Sequence, residues 1–136
     1  MKRKTVTFFT LSILVVAASP TFAQRTKVES LRPLLLEAIS KGEAHGQWEG
    51  PWLEYLADRF KTREPLLIDV RALSSLKQEG CKLLEVVAKQ DGIVEEPGKQ
   101  PTTGTVTYHV RYCSNGMFPD EDQEKLDELL EDADDD

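Results

Sequence analysis

From Leu31 onward the apolar residues recur at helical spacing: Leu31, Leu34, Leu35, Ala38 and Ile39 share one face, the repeat of a helix resting on a core. Ser30 stands at the N-cap position, Pro33 falls in the first turn where its missing N–H costs nothing, and Gly42 supplies a stop. A first helix is therefore expected over 31–41. The stretch from Gly42 to Gly50 holds three glycines and reads as an irregular loop carrying His45 and Trp48. Pro51 opens a second helix over 51–61, with Trp52, Leu53, Leu56 and Phe60 as its stripe. Trp52 and Tyr55 are expected to cap the small core.

Past Pro65 the period shortens to two. Leu66, Ile68, Val70 and Ala72 alternate with Leu67, Asp69 and Arg71, which is the pattern of a half-buried strand. Cys81 to Lys89 reads as a second strand and Thr105 to Cys113 as a third, separated by a turn-rich loop over 91–104 that contains Pro97, Gly98 and Pro101. Pairing the two strands antiparallel with Cys81 opposite Cys113 centres the hairpin on Pro97, the middle of that loop. In this register Leu84, Val86 and Ala88 meet Val110, Tyr108 and Val106 on a side suited to packing against helices. The other side carries Leu83 with Arg111, Glu85 with His109 and Val87 with Thr107. A slip of two residues keeps the same faces.

The fold expected from these elements is α+β: two N-terminal helices on a small antiparallel three-stranded sheet, closed by one disulfide and followed by an acidic tail. The first 23 residues stand apart. Lys2, Arg3 and Lys4 precede an uncharged run from Thr5 to Ala18, and Thr21-Phe22-Ala23 offers small residues at a cleavage site. This is the layout of a secretory signal, and the apolar run falls short of the roughly 20 residues of a membrane span. An uncleaved anchor is the alternative; no cysteine near the site supports a lipid anchor. The division is a signal peptide over 1–23, one domain over 24–116 and a tail over 117–136, with the mature protein in the periplasm or outside the cell. No stable membrane insertion is expected after cleavage. In such a compartment Cys81 and Cys113, the two cysteines of the chain, pair as a disulfide. A zinc site would need further ligands.

Charge sharpens the picture. Removing the three bases of the leader takes the net charge from −7 to −10, and the tail from Met117 carries eleven acids against Lys125. The body over 24–116 is neutral, so phosphate backbones and anionic lipid surfaces are unattractive partners. In the tail, Asp120 with Gln123 resembles a capping box, and Leu126, Leu129 and Leu130 form a short stripe. A calcium loop starting at Asp120 fails because Lys125 occupies the position that requires glycine.

Candidate chemistry is sparse. Glu85 and His109 could act as an acid–base pair, against the simpler reading of a cross-strand charge pair. Ser74 and Ser75 have no base at a telling spacing, and His45 and His109 share no metal-ligand spacing. No catalytic residue, metal or cofactor is expected. His45, Trp48, Glu85, His109 and Arg111 are the candidate interaction residues, on the outer sheet face and the glycine loop.

Four segments resemble a group of small exported proteins of conjugative plasmids and integrating elements: Gly46-Gln47-Trp48-Glu49-Gly50-Pro51, Pro65-Leu66-Leu67-Ile68-Asp69-Val70, Gln78-Glu79-Gly80-Cys81-Lys82-Leu83 and Arg111-Tyr112-Cys113-Ser114-Asn115-Gly116. The likeness covers about 42–116. It implies an accessory role at a type IV secretion or conjugation apparatus, with a protein partner in the cell envelope and no catalytic residue. Two other classes remain: an inhibitor that blocks a hydrolase with the 91–104 loop, and an enzyme using Glu85 and His109. Oligomeric state is left open.

Overall fold

The structure, a computed structural model, describes residues 24–134; the leader reading of 1–23 lies outside them. In chain order the elements are β1 (Thr26–Val28), α1 (Arg32–Lys41), β2 (Glu43–Trp48), α2 (Pro51–Phe60), β3 (Leu67–Ser75), β4 (Cys81–Ile93), β5 (Thr102–Cys113) and α3 (Asp120–Asp134). The strands form one sheet in the order β1-β2-β3-β4-β5. β1 pairs parallel with β2, and every other neighbour is antiparallel.

The class is α+β, but the expected three-stranded sheet with two N-terminal helices is incorrect. Among the described residues five strands form a mixed sheet, and three helices accompany it. The error traces to the glycines after α1. Gly42 adopts φ 93° and its N–H closes onto Ala38 O at 2.8 Å, a left-handed helix stop. Gly46 is different: it lies inside β2, where a Cβ would stand 2.5 Å from Leu34 Cδ1. A glycine within a strand marks a close approach of another element as readily as it marks a loop. His45 and Trp48 therefore sit on a strand. β1, three residues long, adds beside β2 through Lys27↔Gln47 and places Val28 in the core.

α1 lies across the inner face of the sheet. Leu34, Leu35, Ala38 and Ile39 pack with Ile68 and Val70 of β3 and with Leu84 and Val86 of β4. It begins one residue later than expected, with Leu31 at the cap position and no side-chain cap from Ser30. Lys82 donates to the Ile39 carbonyl at the far end, 3.0 Å away, a cation where the helix dipole is negative. α2 has the expected start but buries none of its residues. Trp52 is 63% and Tyr55 58% exposed, so they do not cap the core; they stack edge to face on each other, 5.5 Å between centroids.

The hairpin register holds from Cys81↔Cys113 to Gln90↔Gly104. A bulge at Asp91–Gly92 then shifts it to Ile93↔Thr102, and Thr103 donates to the Asp91 carboxylate at 2.7 Å. Pairing thus continues through most of the expected 91–104 loop, leaving a turn of 94–101. Cys81 and Cys113 form the disulfide and are both almost fully buried.

Candidate binding groove

Among the described residues β5 is an edge strand, opposite β1, and α1 does not reach it fully. Leu84 and Val86 are sealed beneath α1, whereas Val106 remains 61% exposed and Tyr108 38%. The apolar face that the hairpin register demanded is therefore only half covered. Along the open half run two depressions, of about 610 Å³ and 320 Å³. Leu31, just before α1, lines both. The larger is bounded by Leu35, Val110, Tyr112, Phe118 and Leu126; the smaller by Trp48, Trp52, Leu56, Ile68 and Tyr108. Together they make an apolar groove along β5 from α2 to α3.

Local chemistry holds its walls. The Tyr112 hydroxyl donates to Gly116 O at 2.8 Å, and Phe118 meets the Tyr112 ring edge to face at 5.4 Å. Pro119 is fully buried beside them. Arg111 anchors α3 by donating to Asp122 at 2.8 Å, with Glu121 at 3.6 Å. Partial burial pushes the Tyr108 phenol above its ordinary value of 10.0, as a water-poor wall should. Leu126, Leu129 and Leu130 of α3 are all more than half exposed.

The outer sheet face carries the charges. His45 Nδ1 lies 2.7 Å from Asp69 Oδ1, which also accepts from Arg25 at 2.9 Å. Burial works to raise the Asp69 pKa, but the hydrogen bonds from Arg25 and His45 outweigh it and hold the carboxyl below its ordinary 3.8. Glu85 and His109 are cross-strand partners, as the register required. Their side chains are 3.8 Å apart, however, and Glu85 is held by Arg71 at 2.9 Å instead. That is the arrangement of a charge ladder on a sheet surface. Among the described residues no three His, Cys, Asp or Glu side chains converge to hold a metal.

The candidate residues thus divide. His45, Glu85, His109 and Arg111 share the outer face, while Trp48 ends β2 on the inner side and packs against the core. No known protein family, curated protein or solved structure matches this chain. Function must be argued from the surface itself. The groove escaped the sequence reading because Leu31, Tyr108 and Val110 carry ordinary core patterns. The signal available was length: strands of 13 and 12 residues present an apolar face longer than a helix of ten residues can cover. No helix among the described residues is long and apolar enough to cross a membrane.

Proposed function

We propose that this protein is a non-catalytic binding module exported to the cell envelope, serving as an accessory of a conjugation or type IV secretion apparatus. The observation that carries the binding role is the apolar groove along β5, bounded by Leu31, Tyr108, Val110 and Leu126. Open apolar patches flanked by polar residues are where protein partners dock. The Cys81–Cys113 bond suits an oxidising compartment, and the leader layout supplies the route there. The particular apparatus rests on the resemblance across 42–116.

The test is a transfer assay in a host carrying the gene in its native cluster. Deletion should lower transfer frequency, and Tyr108→Glu with Leu126→Glu should lower it as far. His109→Ala should retain it. Full transfer in the deletion strain removes the apparatus from the reading. Loss with His109→Ala but not with the groove variants moves the function to the charged face.

A further inference from the structure

Two independent features meet at the groove. The first is the free edge of β5. Twelve residues long, from Thr102 to Cys113, it contains neither proline nor lysine, two of the devices that protect an edge strand. Its odd-numbered residues aim their backbone groups away from β4: the Cys113 N–H, one of this set, is taken by Met117 O at 3.0 Å. Thr103, Thr105, Thr107 and His109 have no such backbone partner among the described residues. The even-numbered side chains share the inner face: Tyr108 and Val110 line the groove, and Val106 is exposed further along the strand. A strand added here would bond to the edge and drop alternate side chains into the same apolar trough.

The second feature is charge. α3 stands at one end of the groove with Asp127 in its lining. Among the described residues, Glu124, Asp127, Glu128 and Glu131 have no basic partner, whereas Glu121 pairs with Arg111 and Lys125 and Asp122 with Arg111. Arg32 balances Asp127 within the lining of the larger depression, and the excess of negative charge lies on α3 beside it, at Glu124, Glu128 and Glu131. A second copy would answer these acids with a body of zero net charge and another acidic tail. A basic segment answers them directly.

We infer that the groove receives an extended segment of another protein, apolar at alternate positions and basic at one end, which joins the sheet as a sixth strand along β5 and sets its cations against α3. This rests on the groove being the binding surface. Main-chain bonds supply affinity without reading sequence, the trough selects the alternating pattern, and α3 selects the sign of charge and steers the approach.

The experiment titrates the disulfide-bonded protein with a peptide of about nine residues, valine alternating with threonine and lysines at one end, followed by Trp48 and Trp52 fluorescence. The controls are its glutamate counterpart and a lysine peptide N-methylated along one edge. At about 50 mM salt the lysine peptide should bind at least tenfold tighter than the glutamate one, and the advantage should shrink at about 500 mM as screening sets in. The N-methylated peptide should lose binding, as should the Thr107→Pro protein, whose altered N–H lies on the free edge and makes no ladder bond. Reversing charge with Glu124→Lys, Asp127→Lys and Glu128→Lys should reverse the preference between peptides. Equal binding of both peptides, or undiminished binding of the N-methylated one, overturns the inference. So does self-association that Thr107→Pro abolishes, since a second copy then fills the edge. If no peptide binds while Tyr108→Glu still abolishes transfer, the inference falls and the binding role stands. If Tyr108→Glu transfers normally, the binding role itself falls.

Discussion

At Gly46 a methyl group would stand 2.5 Å from Leu34 Cδ1 and 2.9 Å from Cδ2, closer than carbon atoms approach. Leu34 is a fully buried residue of α1, so either its side chain must leave its present rotamer or α1 must lift. Overpacking of this kind costs about 1–3 kcal/mol, and Gly46→Ala should lower the urea midpoint accordingly with an unchanged slope. An unchanged midpoint would show that α1 is not seated on β2 as described. Asp69 tests the outer face. Its carboxyl is held below 3.8 in the folded protein, so its ion pairs contribute stability above the unfolded value that is lost as pH falls through the folded one. Asp69→Asn should therefore be less stable than the parent at about pH 6, with the gap closing towards about pH 2. The site is over a third exposed, so the effect is small. A gap that persists in acid would assign the loss to packing rather than charge.

Among the elements, α3 shows the weakest attachment. Its leucines remain exposed, and its anchors are the Arg111 pairs and a bond from the Asp120 N–H to Gln78 Oε1 at 2.9 Å. Surface pairs contribute about 0–1 kcal/mol each, and the acids at its C-terminal end oppose the helix dipole. Truncation after Pro119, which keeps the buried proline and Phe118, should shift the melting temperature by no more than a few degrees. The same truncation should abolish the preference for a basic peptide. A large fall in melting temperature would mean that the leucine stripe docks on the body in solution. α2 stands between these cases: its sequence stripe is clear, yet Trp52 extends the groove wall instead of closing the core.

For the whole molecule the decisive tie is Cys81–Cys113, which joins the start of β4 to the end of β5 across a separation of 32 residues. With a modest core, a domain of this size has about 5–15 kcal/mol of stability, and chain-entropy reasoning assigns a loop of this length about 3–4 kcal/mol. Cys81→Ser should lose a comparable amount in chemical denaturation, and reducing agent should do the same to the parent protein. Thiol titration of denatured, unreduced protein should find no free thiol. Two free thiols per chain would remove both the bond and this account of the stability.

Part of this architecture follows from short windows of the chain. The repeat through Leu31, Leu34, Leu35, Ala38 and Ile39 is enough to place a helix, and its burial agrees. The alternation from Leu83 to Val87, the opposing alternation from Thr107 to Arg111 and two cysteines are enough to place the hairpin and its faces, and the structure selects the Cys81↔Cys113 register over a slip of two. These patterns are local because side-chain direction repeats every two or every 3.6 residues. The acidic tail is likewise plain in composition. What tertiary structure decided is which faces meet. Gly46 reads as a loop until Leu34 arrives to occupy its missing side chain, and β1 has no pattern of its own until β2 offers an edge. Tyr108 and Val110 read as core, and they become a groove because α1 reaches β4 but leaves β5 half covered. Whether an apolar face is sealed or open depends on elements distant in sequence, and no local period records their reach.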